Sequence, residues 1–286
     1  MMSKTVFITG TSTGFGKLTT ITLAKEGYKV IAGMRGITGK NKEVARELSQ
    51  LPNVDVVEID VIEDSSVQEA FEKTLQKHQK IDVLVNNAAV NGFGLLEAYS
   101  IDQVKNMFEV NFYGILRTYQ AVLPSMRKNR SGLIINITSG ASAHTLPFMI
   151  PYLASKFGVE SITEGLQEEL KQFGIDNVSI QPGVYPTEMG RNEKPGFHGD
   201  KQKIAEAYEP VGSEQFNALG SAFQRKMEQY NPDPQLIADG IKELIEMEDG
   251  ERPLRFPLDI IAEGTDKEFI EARAEMKSRF LEKYMG

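Results

Sequence analysis

Three side chains within one short stretch can pass a proton between them. Ser139 carries a hydroxyl, Tyr152 a phenol and Lys156 an ammonium group, all inside the segment Asn136 to Lys156. Of the nine tyrosines in the chain, only Tyr152 is followed four residues later by a lysine. In a helix that spacing places the two side chains on one face, a turn apart. The apolar run Leu133 to Ile137 reads as a buried strand ending at Thr138 and Ser139, and a helical pattern begins near Tyr152. Such a tyrosine–lysine pair also arises often by chance, so its chemistry depends on what the rest of the chain builds around it.

The elements upstream supply a nucleotide-binding pattern. Lys4 to Thr9 is a short apolar strand that runs into Gly10-Thr-Ser-Thr-Gly14-Phe-Gly16, and the helical stretch from Lys17 to Glu26 stops at Gly27. Strand, glycine turn and helix in that order let backbone N–H groups approach a pyrophosphate at the positive end of the helix. A plain glycine-rich connection is the competing reading. The second strand, Tyr28 to Met34, ends in Arg35, where an acidic residue would accept from the ribose hydroxyls of NAD. An arginine there can instead pair with the 2′-phosphate of NADP, so NADP(H) is the expected cofactor, with a merely solvated Arg35 the alternative. Lys17, Lys40 and Lys42 could add positive potential.

Composition narrows the function classes. With 286 residues, 41% hydrophobic and 25% charged, the chain is long enough for one sizeable α/β core. A net charge of −8 argues against a nucleic-acid partner, which would select a basic surface. The absence of cysteine excludes disulfides and thiolate chemistry and fits a reducing compartment. No apolar run approaches the ~18 to 20 residues that span a bilayer, and Met1 to Lys4 leads straight into a strand, so a cytoplasmic location is expected. His78, His144 and His198 are scattered without ligand spacing, and no metal site is expected.

Further strands follow with period. Val54 to Val61 offers Asp60 at its end, placed to accept from an adenine amino group, and Asp64 or Ser65 reads as a helix cap. Ile81 to Val85 runs into Asn86-Asn-Ala-Ala89. A long helical segment from about Ile101 to Lys128 contains Asn111, a residue mildly unfavourable in a helix, which either does chemistry or caps a kink near Gly114. The helix from Tyr152 shows Ile162, Leu166 and Leu170 as a core stripe and ends at Gly174. Asp176 to Gly183 is a sixth strand, followed by Val184 to Thr187. From Glu188 to about Asn231 the pattern dissolves, with Ala205 to Tyr230 only loosely helical, as suits a lid over a bound substrate or a simply mobile excursion. A helix from Pro234, a short strand in Pro253 to Leu258 and a charged helix from Asp266 close the chain. That last helix sets Phe269, Arg273, Met276 and Phe280 on one face, to pack on this chain or another copy. The expectation is a single domain with a three-layer α/β Rossmann fold: a doubly wound parallel sheet of about seven strands, a lid at about 188–231 and a helical tail at about 265–286.

The ordered set of motifs resembles the short-chain dehydrogenase/reductase family over about residues 4 to 258. It comprises Thr9-Gly-x-x-x-Gly14-x-Gly16, Asp60-Val61, Asn86-Asn-Ala, Asn111, Ser139 with Tyr152 and Lys156, and Pro182-Gly183 followed by Thr187. The resemblance implies a catalytic group of Asn111, Ser139, Tyr152 and Lys156. It also implies a cofactor site of Gly10, Ser12, Thr13, Gly14, Phe15, Gly16, Arg35, Asp60, Val61, Asn87, Ala88, Tyr152, Lys156, Pro182, Gly183 and Thr187. Two positions depart from the family pattern. Ala89 stands where a glycine is usual, and Thr13 where many NADP-preferring relatives carry a basic residue, so NADP preference rests on Arg35 and NAD(H) use stays open.

In the family's chemistry Ser139 and Tyr152 hydrogen-bond the carbonyl oxygen and Tyr152 delivers the proton. Lys156 and the positive charge of the oxidised nicotinamide are together expected to lower the phenol's pKa, Lys156 also to hold the nicotinamide ribose, Asn111 to position a relay water, and Thr187 to steady the carboxamide. The expected function is an NADP(H)-dependent oxidoreductase acting on a carbonyl or secondary alcohol. The alternative is a non-catalytic NADP(H)-binding redox sensor. A sugar-nucleotide epimerase fits less well, because the glycine spacing is that of the shorter branch. Phe93, Leu95, His144, Leu146, Phe148, Met149 and Tyr185 suggest a mostly apolar pocket for aliphatic, aromatic, retinoid-like or steroid-like carbonyls. A homodimer or homotetramer is expected.

Overall fold

The computed structural model describes residues 4–142, 144–191 and 199–286. The stretch 192–198, with His198 and most of the expected turn-rich segment, lies outside the described residues. In chain order the elements are β1 (Thr5–Thr9), α1 (Gly14–Lys25), β2 (Lys29–Met34), α2 (Lys42–Ser49), β3 (Val54–Glu58), α3 (Asp64–His78) and β4 (Val83–Asn86). Next come α4 (Ile101–Phe108), a π-helical turn (Glu109–Tyr113), α5 (Gly114–Asn129), β5 (Gly132–Ile137), α6 (Ile150–Lys171) and β6 (Ile175–Pro182). The chain closes with α7 (Glu188–Arg191), α8 (Gln202–Ala207), α9 (Val211–Tyr230), α10 (Gln235–Glu246), β7 (Arg255–Leu258) and α11 (Thr265–Met285).

The strands form one parallel sheet in the order β3-β2-β1-β4-β5-β6-β7. Every residue of β1 and of β6 is buried, as a strand covered by helices on both faces requires. Alternate side chains go to opposite faces. Val6 and Ile8 enter a core with Leu23 of α1 and Ile237 and Ile241 of α10. Phe7 enters the other, with Phe71 of α3, Val122 of α5 and Val159 of α6, its ring stacked on Phe71 at 4.3 Å between centroids. The core stripe expected on α6 is there: Leu170 is buried, with Ile162 and Leu166 packed beside it. Strand order reverses between β1 and β4, so connections diverge there and open a crevice at the carboxyl ends.

Three local expectations change. The helix expected over 101–128 is interrupted by the π turn, which holds Asn111. Asp64 and Ser65 do not cap α3: its N-cap is Glu63 with no side-chain bond, and Asp64 instead pairs with Arg117 at 2.5 Å. The third change concerns 205–230, expected to be only loosely helical, where the end of α8 and the 20-residue α9 are regular helix. Their helical period is faint in the sequence because, apart from Gly212, α8 and α9 bury no residue fully in a core.

Candidate active site

The glycine turn is held by its neighbour strand. Asn87, just after β4, donates from Nδ2 to the carbonyls of Thr9 and Gly10 at 2.9 and 3.0 Å. The Thr9 hydroxyl accepts from the N–H groups of Asn87 and Ala88 at 3.1 and 3.0 Å. Gly10 has φ +72°, and a Cβ on it would fall 2.8 Å from Ala88 Cα; one on Gly16 would fall 2.5 Å from Asn87 Nδ2. Side chains at either position would force these two turns apart. Helix α1 starts without a side-chain cap and without an acidic residue in its first turn. Its free N–H groups and helix dipole therefore favour an anion.

A narrow cleft of ≈ 190 Å³ runs along this edge. Gly10, Ser12, Thr13, Gly14, Phe15, Arg35, Asp60, Val61, Asn87, Ala88 and Thr187 all line it. Gly16 does not line it and packs against Asn87 and Gly10. The loop bearing Arg35 is fastened at both ends: Gly36 and Ile37 donate their N–H groups to Glu58 at 2.6 and 2.8 Å, and Asn41 donates to the Arg35 carbonyl at 2.7 Å. Arg35 reaches Asp60 at 3.4 Å, with both side chains partly exposed, a geometry worth little and easily exchanged for another anion. Lys40 also lines the cleft, whereas Lys17 is engaged by Glu47 at 2.8 Å.

The cleft adjoins a larger cavity of ≈ 700 Å³ lined by Ser139, Tyr152, Lys156, Pro182 and Gly183. Phe15, Asn87, Ala89, Thr187 and Met189 face both. Tyr152 is a buried side chain that shares the wall of this cavity with Ser139. Burial pushes its pKa up to about 12, with the neighbouring Ser139 hydroxyl working against that rise. The expected lowering by Lys156 is thus not supplied by the protein groups alone. Lys156 donates to the Ile137 carbonyl at 2.7 Å, its Nζ lies 5.9 Å from the Tyr152 ring centroid, and burial lowers its pKa to about 8. The result is a neutral phenol aimed into a largely apolar chamber. It is a proton donor as it stands.

Asn111 is fully buried beneath this group and lines neither space. Its Oδ1 accepts from Val90 N–H at 2.8 Å, and its Nδ2 donates to the Val90 carbonyl at 2.9 Å and to Ser155 at 3.0 Å. Both amide hydrogens are committed within the protein. It clamps the loop after β4 to α6 next to Tyr152, whose carbonyl accepts from Ser155 at 2.6 Å.

Glu160 escaped the sequence reading. Its Oε1 accepts from Thr138 at 2.8 Å, Ser142 at 3.2 Å and Gln181 at 2.9 Å, and also from Ser179. Its Oε2 pairs with Arg255 at 2.9 Å. One buried carboxylate therefore fixes the end of β5, where Ser139 sits, against β6 and β7. The available signal was the run Tyr152, Lys156, Glu160, Glu164 at intervals of four on one helix.

Of the expected apolar pocket, Phe93, His144, Leu146, Met149 and Tyr185 line the cavity, joined by Phe223 of α9 and Phe269 and Ile270 of α11. Leu95 and Phe148 do not; Phe148 packs edge-on against Phe216 of α9 at 5.4 Å. On α11, Arg273 turns inward to Glu164 at 3.1 Å, while Met276 and Phe280 stay exposed. Among the described residues no cluster of acidic or histidine side chains could hold a metal, and no helix is long and apolar enough to cross a membrane.

Comparison with known proteins agrees with this geometry. Residues 4–196 match the family model for short chain dehydrogenases. An uncharacterized oxidoreductase of Bacillus subtilis, YusZ, is 32% identical over 248 residues, covering 85% of each chain. Retinol dehydrogenase 8 of Bos taurus is 33% identical over 77% of this chain and 74% of its own. Among solved structures, an alcohol dehydrogenase from Thermococcus sibiricus complexed with 5-hydroxy-NADP superposes with a TM-score of 0.71 at 26% identity, covering 90% of this chain and 96% of that one.

Proposed function

The chain belongs to the short-chain dehydrogenase family, and from that premise we propose that it is an NADP(H)-dependent oxidoreductase of a carbonyl or secondary alcohol on a mostly apolar substrate. The observation that carries the reading is that Ser139, Tyr152 and Lys156 stand together in the wall of the ≈ 700 Å³ cavity, which adjoins the narrow cleft. The cleft suits a dinucleotide by its own chemistry. Gly10 and Gly16 permit close backbone approach, the uncapped start of α1 faces an anion, and Arg35 with Lys40 offers positive charge for a 2′-phosphate. Asp60 and Val61 would border the adenine, and Asn87, Ala88, Pro182, Gly183 and Thr187 the nicotinamide half.

When bound, the dinucleotide supplies a hydride to the carbonyl carbon or takes one from the alcohol. The protein's part is protonic and electrostatic. Ser139 donates to the substrate oxygen, and Tyr152 delivers its hydroxyl proton there as negative charge develops. Lys156, held by Ile137, sets a positive charge beside the phenolate that remains. Asn111 acts as a positioning residue for the helix turn that bears Tyr152. Met189 of α7 and Phe223 of α9 line the cavity, as suits a lid, and α11 completes its wall.

An apolar substrate is supported by the cavity lining and by relatives named for retinol and 3-ketodihydrosphingosine. A cytoplasmic single-domain protein assembling as a homodimer or homotetramer completes the reading; the exposed Ile101, Tyr113 and Phe157 support the assembly. The test is turnover of NADPH and of NADH against a panel of apolar ketones and aldehydes. Oxidation of NADPH by at least one of them is expected; tight NADPH binding without turnover of any would establish the redox sensor instead.

A further inference from the structure

Asp259, just past β7, sets a carboxylate in the wall of the reaction chamber. It lies flat on the backbone of Gly183: a Cβ there would fall 2.1 Å from Asp259 Cγ and 2.2 Å from its Oδ1. A Cβ on Gly140 would stand 3.5 Å from Oδ2. Gly140 adjoins Ser139, so the acid sits beside the group that receives the substrate oxygen. Its known partners are weak for a charge: Oδ1 accepts from Ile261 N–H at 2.9 Å, and Ala262 N–H assists. Among the described residues neither Asp259 nor Asp266, which shares the cavity, makes an ion pair. Lys226 at the same cavity is exposed and directs its ammonium over the Tyr230 ring at 5.3 Å.

For a plain ketone this arrangement is unfavourable. Reduction builds negative charge on the substrate oxygen, and a nearby carboxylate in a largely apolar chamber opposes it. Burial, with the neighbouring Asp266, already holds the Asp259 carboxyl above its usual range. A positive group on the substrate would relieve both conflicts at once, whereas a hydroxyl would leave the charge unbalanced. Resting on the dehydrogenase reading, we propose that Asp259 is a specificity-determining residue that accepts a protonated amine placed close to the reacting carbonyl of an otherwise apolar substrate.

Two measurements on wild type and Asp259→Asn test it, the asparagine keeping an acceptor for Ile261. In calorimetry with NADP+ present, decylamine should bind wild type at least about tenfold more tightly than 1-decanol, and Asp259→Asn should erase that ratio. In steady-state assays with NADPH, an amino ketone should exceed the matched plain and hydroxy ketones in kcat/KM by about tenfold or more, again only in wild type. Equal binding of amine and alcohol, or a ratio untouched by the substitution, overturns the proposal, as does an equal loss on all three ketones. The underlying reading fails separately. Amine-selective binding without turnover of any ketone would sink the dehydrogenase and leave the amine site. Turnover without amine preference would do the reverse.

Discussion

Lys156 is buried with its Nζ 2.7 Å from the carbonyl oxygen of Ile137, the last residue of β5. One hydrogen bond thus ties the helix that carries the proton donor to the strand end that carries Ser139. The bond orients an ammonium group that would otherwise be costly to bury.

That cost makes stability depend on pH. Burial lowers the Lys156 pKa to about 8 from the ordinary lysine value of 10.5. Below pH 8 both folded and unfolded chains hold the proton, and the folded state carries the full cost of the buried charge. Between 8 and 10.5 the unfolded chain binds more protons, so this lysine's contribution becomes less unfavourable as pH rises. Urea midpoints of wild type and Lys156→Met, measured from pH 7 to 10, should therefore converge towards or cross in favour of wild type with rising pH. A difference independent of pH would show that the ammonium is not buried as described.

Arg35→Asp should weaken NADPH by at least about tenfold, roughly 1.4 kcal/mol, while NADH changes little. Cofactor fluorescence titration reads both constants. Equal losses would remove the 2′-phosphate role from Arg35.

Glu160→Ala removes the acceptor on which Thr138, Ser142, Ser179 and Gln181 converge, and leaves Arg255 with one partner fewer in a buried setting. A loss of about 3 kcal/mol in urea unfolding is expected. Because the same carboxylate aligns the end of β5, kcat should fall more in Glu160→Gln than NADPH affinity does.

The tail helix is held by charge. Burial would raise the Glu164 pKa, but the bonds from Lys277 and Arg255 outweigh it and bring it down to about 2. The lowered pKa stabilises the fold above the unfolded carboxyl's range near 4.5, and that contribution disappears as pH falls through 2. Since Lys277 and Arg273 belong to α11, Glu164→Gln should increase amide exchange in α11 at neutral pH, with the remainder of the sheet unchanged.

How much of this could be read from the residues depends on the range of each interaction. The glycine turn, the Tyr152–Lys156 pair and the β-strand order of motifs are local patterns, and the structure places them together at one sheet edge. The partners of Asn111 could not be read, because its amide is spent on Val90 across a loop 21 positions away. Glu160 and Arg255 are 95 positions apart and meet only once β7 joins β6. Helix α9 is only faintly legible for the opposite reason. Apart from Gly212 it buries no residue in a core, and Ala222 and Phe223 face a cavity, so the strong stripe that core packing imposes is weak. Asp64 was read as a cap from its type and position, and tertiary pairing with Arg117 claimed it instead.

Tyr152→Phe is the most direct test of the central claim, since it removes only the hydroxyl that would deliver the proton. With an apolar ketone found in the panel, NADPH affinity should stay within about twofold while kcat falls at least about 100-fold. Unchanged turnover in Tyr152→Phe, with the cofactor still bound, would contradict the assignment of Tyr152 as the proton donor.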